Sequence, residues 1–567
     1  RILRPMKHGA EQNWFGRASD FLIDGMANFY RWSLDHVLKA RFLTLLVTLA
    51  TLVVSGWLYV QAPKGFFPVE DTGFLVGSTE SAPDTSVTAM AERQLKVVEI
   101  VKNDPAIAYL SSAVGFGGIV NQGRIFMALK PKAERGDQMA VVARLRKATS
   151  VIPGITFVMM PIQNFNLNAG RITRAMYQYT MQSSDLEALY GKAPDMLARA
   201  RDLPGLRDVT SDLQISNPTA TVDIDREKAA AYGVTTDQIR AALYNAFGTK
   251  QISTIYTQAS DYQVIIEASR DFQNDPEALK RIFVRPQNAS GGTGGAVATG
   301  AGGVVSLDQL VSIRRTVGPL TINRQAQQPA VTLSFNLAPG VAIGQAIEAI
   351  QKAEQQIGMP ASIVSSFSGT AQQFQDSLKG QGALLLAAVL TIYILLGVLY
   401  ESYIHPITIL SGLPSAGLGA LLALQLFGME LSVVAIIGIL LLIGIVKKNA
   451  IMMVDFAIER RRGTDLDALS AIREAAIVRF RPIMMTTLAA MLGALPIALG
   501  AGAGAELRQP LGIAIVGGLM VSQVLTLYIT PVVYFYLDRV DSWLSGSHAS
   551  VTEAAKSATA VAGRPAE

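Results

Sequence analysis

Six apolar stretches constrain this chain more than any other feature. Phe42–Val60, Ala383–Tyr400, Pro406–Met429, Leu431–Phe456, Ile483–Gly500 and Leu511–Leu537 are each long enough to cross a bilayer core as a helix. About 320 residues separate the first from the second, and the other five follow in quick succession. The expected architecture is one membrane helix, a large soluble domain, then five more helices. Composition agrees. Of 567 residues 50% are hydrophobic and 16% charged, too apolar for an ordinary soluble protein and too charged for a purely embedded one.

Lysine and arginine in short loops mark the cytoplasmic side. The connection 457–482 holds Arg460, Arg461, Arg462, Arg473, Arg479 and Arg481, whereas the connections on the opposite side contribute only Arg508. Residues 1–41 are amphipathic and basic, and Trp57 and Tyr59 suit the far interface of the first span. Both chain ends are therefore expected in the cytoplasm and the soluble domain outside. Residues 538–567, rich in Ala, Ser, Gly and Thr, are expected to be a disordered tail. The chain opens at Arg1 rather than at a methionine, carries no signal peptide, and is expected to be a piece of something longer.

The soluble domain reads as a doubled pattern. Strand periodicity at 73–81, helical at 86–103, strands at 107–114 and 124–129, a helix at 139–150 and a strand at 155–160 spell βαββαβ, the split-βαβ unit of ferredoxin-like folds. A second pass runs strand–helix–strand over 176–212 and resumes as strand–helix–strand over 330–367. Between its halves lies an insertion at about 214–318, with the tract SGGTGGAVATGAGG as a flexible or hairpin-tip loop.

Several functions are excluded. There are no cysteines, and His8, His36, His405 and His548 have no ligand spacing. The net charge of +5 sits next to apolar segments rather than in an aromatic-interleaved patch, so nucleic acid is not the partner. No phosphate loop or nucleophile elbow occurs, so the chain is not expected to be an enzyme or to use a cofactor. Any transport would draw on an ion gradient.

One residue is out of place. Lys448 lies twelve residues before Arg460, roughly 18 Å inside the hydrocarbon at 1.5 Å per residue. A lysine there costs a few kcal/mol, is functional by default, and wants a carboxylate. Lys447 and Lys448 are 100° apart on a helix, so at most one faces a given neighbour. The other spans hold no Asp or Glu away from their ends, and Asp455, two turns below, reads as a solvated interfacial carboxylate. Either the lysine is neutral or its partner is on another polypeptide segment. Thr486 lies in the first turns of the fifth span, and Arg479 precedes Pro482 at its entrance. A threonine there more often bonds back to its own helix, and an arginine more often anchors the interface. Gly417, Gly419, Gly438 and Gly444 supply small residues for close helix packing.

Five motifs, in order, resemble the C-terminal half of a resistance–nodulation–division (RND) multidrug efflux transporter of the hydrophobic/amphiphilic exporter branch. They are KGFFPVEDTG (64–73), VDIDREKAAAYGV (222–234), LYESYIHP (399–406), KNAIMMVDFA (448–457) and RFRPIMMTT (479–487). The resemblance covers roughly residues 1–540. It implies a membrane α-helical bundle of six spans, arranged 1+5, plus a large periplasmic α+β domain of two ferredoxin-like porter repeats. The implied domains are a cytoplasmic segment 1–41, a span 42–60, a first porter subdomain 61–165, a second at 166–213 and 319–370, a docking insertion 214–318, five spans in 383–537 and the tail 538–567.

The resemblance also implies a role. Lys448 would pair with two aspartates in the other half of the transporter, with Asn449, Arg479 and Thr486 in or near the same proton relay. Gly115, Phe116, Gly117 and Phe126 match the porter region that meets substrate, although a phenylalanine on a strand is more often core. The implied activity is drug/proton antiport of small amphiphilic compounds from the bacterial inner membrane. The implied partners are the N-terminal half, further copies in a homo- or heterotrimer, a periplasmic adaptor and an outer-membrane channel. Two alternatives stand beside it. One is a structural half without transport of its own. The other is heavy-metal export, for which the adjacent Met159 and Met160 point opposite ways on a strand and make a poor site.

Overall fold

A computed structural model of the chain describes residues 14–164, 174–273, 275–286, 303–463, 466–500, 502 and 504–562. Most of the glycine-rich tract at 290–303, the first thirteen residues and the last five lie outside the described residues. The chain divides into two compact units: Arg1–Glu80, Met90–Asp212 and Asn323–Glu567 form one, and Ser81–Ala89 with Leu213–Ile322 the other. The short segment 81–89 gave no sign in the sequence that it belongs with the insertion.

Among the described residues, six helices are long and apolar enough to cross a membrane: Arg41–Gln61, Thr370–Tyr400, His405–Leu426, Val433–Arg461, Ala468–Leu499 and Ala505–Val540. Backbone amides in lipid have no water to bond, so apolar runs of this length close their hydrogen bonds within one helix. The protein is a multi-pass membrane protein with an α+β domain outside its six spans. The helices are α1 (Trp14–Lys39) and α2 (Arg41–Gln61), then, after the soluble strands and helices, α8 (Thr370–Tyr400), α9 (His405–Leu410), α10 (Leu413–Leu426), α11 (Val433–Gly463), α12 (Ala468–Leu499) and α13 (Ala505–Ala562).

Four boundaries differ from the hydropathy reading. The polar residues 370–382 continue α8 outward beyond its apolar run, and α12 begins fifteen residues before Ile483 in an amphipathic stretch. Hydropathy marks only the lipid-facing part of a helix. The third span is broken between Leu410 and Leu413, where Pro414 starts the second piece with no amide hydrogen to offer. The tail expected to be disordered from residue 538 instead continues α13 to Ala562, its alanines being the strongest helix formers.

Small residues let the helices close. A Cβ on Gly419 would fall 2.6 Å from the Gly517 carbonyl oxygen, and one on Gly438 3.2 Å from Ala514 Cβ, so α10 and α11 pack against α13 through bare backbone. Gly417 and Gly444 have open space instead. At the other end of the bundle, Tyr30 of α1 stacks on Phe480 at 4.7 Å and donates to the Leu527 carbonyl at 2.8 Å.

The soluble part of the first unit holds two sheets of one topology. In the first, β1 (Phe74–Ser81), β2 (Ile107–Val114), β3 (Gln122–Leu129) and β4 (Ile155–Pro161) lie in the order β2–β3–β1–β4. In the second, β5 (Tyr177–Gln182), β6 (Leu206–Ser211), β11 (Gln328–Leu337) and β12 (Val364–Ser368) repeat that order as β6–β11–β5–β12. Helices α3 (Val87–Lys102) and α4 (Gln138–Thr149) cover one face of the first sheet, with Val97, Ile125, Met127, Leu145 and Phe157 in its core. Helices α5 (Leu186–Arg201) and α7 (Ile343–Ile357) belong to the second.

The inserted unit pairs β7 (Asn217–Ile224) with β10 (Val311–Gly318), antiparallel. It adds α6 (Thr236–Phe247), opened by a Thr235/Gln238 capping box, and an exposed hairpin of β8 (Lys250–Tyr256) and β9 (Asp261–Ile266).

Candidate functional site

The middle of α11 carries three consecutive polar residues, Lys447, Lys448 and Asn449. Lys448 is equidistant from Val433 and Gly463, and it is exposed. Ile437, Leu441, Gly444, Lys448, Asp455 and Glu459 are the exposed positions at helical spacing, one stripe along the helix with the lysine at its centre. Among the described residues Lys448 has no ion-pair partner, and Asp455 is exposed as well.

Its neighbour Asn449 faces the opposite way, into the bundle. The buried Asn449 amide donates to Thr487 Oγ1 and to Gln523 Oε1, each at 3.0 Å, and Thr487 Oγ1 lies 2.8 Å from the same Gln523 oxygen. These three residues join α11, α12 and α13. The sequence reading found Asn449 and missed the other two. An amide in the apolar run VSQVLTL was the available signal for Gln523. Thr486 instead donates to the Ile483 carbonyl of its own helix at 3.1 Å, and its half-buried side chain joins no polar group on another helix. The Arg479 guanidinium lies over the Phe456 ring at 4.8 Å, and its buried Nε has no hydrogen-bond partner. Of the four residues expected to form one group, only Asn449 is seen to hydrogen-bond polar side chains on other helices among the described residues.

Interhelical hydrogen bonds in membranes average about 0.6 kcal/mol and reach about 1.7. Gln523 Oε1 serves two donors, so Gln523→Leu is expected to cost about 1–2 kcal/mol. Reversible unfolding in mixed micelles measures this, and an unchanged midpoint would refute the cluster's structural weight.

A second feature joins the bundle to the α+β domain. The chain leaving α2 hydrogen-bonds along the α10–α11 connection: Leu431 N donates to Pro63 O at 2.9 Å, Gly65 N to Leu431 O at 3.3 Å, and Val433 N to Phe66 O at 3.1 Å. Glu430 is wedged here, where a Cβ on Gly65 would collide with its Oε2. Burial pushes this carboxyl up to about 7, and burial, followed by the charge of Glu430, raises the Tyr177 phenol. A raised folded-state value in an acid means that the favourable neutral form is fully present below pH 4.5. That contribution is lost as pH rises through about 7. The melting temperature should therefore fall from pH 5 to pH 8, and Glu430→Gln should flatten that slope. Parallel slopes for the two proteins would contradict it.

The glycine loop sits at the end of the first sheet. Gly115 and Gly117 both have φ of +73°, a region that any side chain would strain, and Gly115 N closes the turn on Gln122 O at 2.8 Å. Phe116 begins the short turn Phe116–Gly118, but its side chain lies outside the described residues. Phe126, on β3, is 44% exposed on the face away from the helices, so it is not the core residue that a strand phenylalanine usually is. Its registered partners are Val76 on β1 and Ser111 on β2. Phe126 is thus exposed among largely buried neighbours on that face, Val76 and Arg124 among them.

Comparison with known proteins places this geometry. The model of the AcrB/AcrD/AcrF family matches residues 1–538. Among solved structures, two crystal forms of a heavy metal efflux pump superpose on the chain with TM-scores of 0.80 and 0.77, at 22% and 23% identity. They cover 91% and 89% of this chain, which corresponds to 52% and 51% of the pump, so the chain spans about half the length of those relatives. At such identity the likeness is one of fold.

Proposed function

The chain belongs to the AcrB/AcrD/AcrF family of RND transporters, and from that premise we propose that it is the C-terminal half of a proton-driven exporter of amphiphilic compounds. The observation that carries the reading is Lys448, exposed at the midpoint of α11 on a stripe of otherwise mostly apolar positions. A second half contributing carboxylates at that depth would pair with it. Protonation of those carboxylates would release the lysine, let α11 shift, and be felt at the α+β domain through the hydrogen-bonded junction at 63–66 and 431–433. The protein is a transporter and not an enzyme.

The same reading extends to partners. Exposed Ile252, Ile255, Tyr256 and Tyr262 on the β8–β9 hairpin suit a contact with a further copy in a trimer, and the inserted unit would face an adaptor and an outer-membrane channel. The solved relatives are named for heavy metals. Against metal export by this chain, Met159 is in the core of the first repeat while Met160 is only half-buried on the other side of the strand, so the pair cannot close on one ion. The experiment reconstitutes the chain with a half that carries the acidic residues and follows dye efflux from vesicles under an imposed pH gradient. Efflux that survives a protonophore, or that needs no functional copy of this chain, would overturn the proposal in favour of another energy source or a purely structural half.

A further inference from the structure

Beside the glycine loop lies a cavity of about 170 Å³ whose chemistry the transport reading leaves unassigned. Its lining includes Ser78, Thr79, Gly117, Gln122, Arg124 and Arg174, thus two guanidinium groups, of which that of Arg174 is paired with the Glu80 carboxylate. Arg124 is buried, an uncommon position for an arginine on a strand. Arg174 enters from the start of the second repeat, tied down by an ion pair with Glu80 and by donation to the Ser211 carbonyl at 3.3 Å. Beneath the cavity, Thr79 donates to Gln94 at 2.7 Å and Gln94 donates to Ser112 at 2.7 Å, a network that fixes the floor. Burial, and then the charge of Arg174, hold the Arg124 guanidinium below its usual range.

Size and register supply the rest. Drug-sized ligands fill roughly 300–1,000 Å³, so this cavity takes a head group and not a whole molecule. Arg124 and Phe126 are two positions apart on β3, on the same face and about 7 Å along the strand. An apolar body attached to a head group in the cavity would lie across the exposed Phe126 ring.

We propose that this site selects anionic amphiphiles, binding a carboxylate, sulfonate or phosphate head between Arg124 and Arg174 and the apolar body on Phe126. The inference rests on the efflux reading of the same loop and adds the charge of the substrate to it.

The test uses the complete transporter in nanodiscs and two dyes that differ by one group, 1-anilinonaphthalene-8-sulfonate and its neutral parent N-phenyl-1-naphthylamine. Arg124→Gln should weaken sulfonate binding about tenfold, the loss of one charge-assisted hydrogen bond, and leave the neutral dye unchanged. Arg124→Lys should retain part of the difference, and Phe126→Ala should weaken both dyes. Retained binding of the neutral dye reports that a variant is folded. If Arg124→Gln does not fold, Arg174→Gln reads the same difference at the half-buried partner. An unchanged sulfonate affinity, or an equal loss for both dyes, would overturn the anion site. Neither result touches proton coupling, which the pH-gradient experiment tests independently.

Discussion

Lys448→Ala is expected to abolish proton-coupled efflux while leaving the protein folded. On insertion scales a lysine at the centre of a membrane helix costs about 2.5–3.5 kcal/mol, so its removal should ease insertion rather than hinder it. The side chain is exposed and anchors no packing within the described residues, so no cavity is created. Function should fall to background and the melting temperature should hold or rise. Lys447 is the built-in control: it is half-buried and about 100° around the helix, and Lys447→Ala should retain most activity. Dye efflux from proteoliposomes and thermal unfolding of the same preparations decide the matter. Retained efflux in the Lys448 variant sinks the assignment.

The second large effect is on stability. Asp71 and Arg135 form a buried ion pair at 2.5 Å, their side chains 5% and 2% exposed. Two further bonds fix the guanidinium: Nε donates to Lys130 O at 2.6 Å and Nη1 to Gly136 O at 3.0 Å. Asp71 also accepts from Gly73 N at 3.2 Å, which sets the entry into β1. Arg135→Ala leaves a buried carboxylate without its counter-charge and is expected to cost about 3–5 kcal/mol. Replacing both partners, Asp71→Leu with Arg135→Met, should recover most of that loss, because the desolvation of two charges is removed along with their attraction. Denaturant unfolding followed by hydrogen exchange over 70–80 measures both. A single variant within about 1 kcal/mol of wild type would contradict the argument.

How far the sequence could be read depended on the range of the signal. The spans were legible because each is a continuous apolar run, and the ends of α8 and α12 were not, because their polar extensions carry no lipid-facing signature. The strands of both repeats were legible from period-2 patterning, and the doubled order of the pattern pointed to one topology twice. The membership of 81–89 in the second unit is a long-range fact with no local trace. Thr486 and Thr487 show the limit most sharply. They are adjacent and chemically identical, and motif position favoured the first. Helix rotation buries the second against Asn449 and Gln523.

Two things about this protein were fixed by its residue order alone: the 1+5 arrangement of membrane helices with an α+β domain outside them, and a lysine within one of those helices. The first follows from hydrocarbon excluding charge and unpaired backbone, a constraint each segment meets by itself, and the second stands out because it breaks that constraint. Tertiary structure decided which way each side chain faces. It turned Lys448 outward and Asn449 inward, exposed Phe126 on the sheet face away from the helices, and set Arg124 and Arg174 on one cavity. Such choices depend on contacts between residues tens to hundreds of positions apart, and no local pattern encodes them.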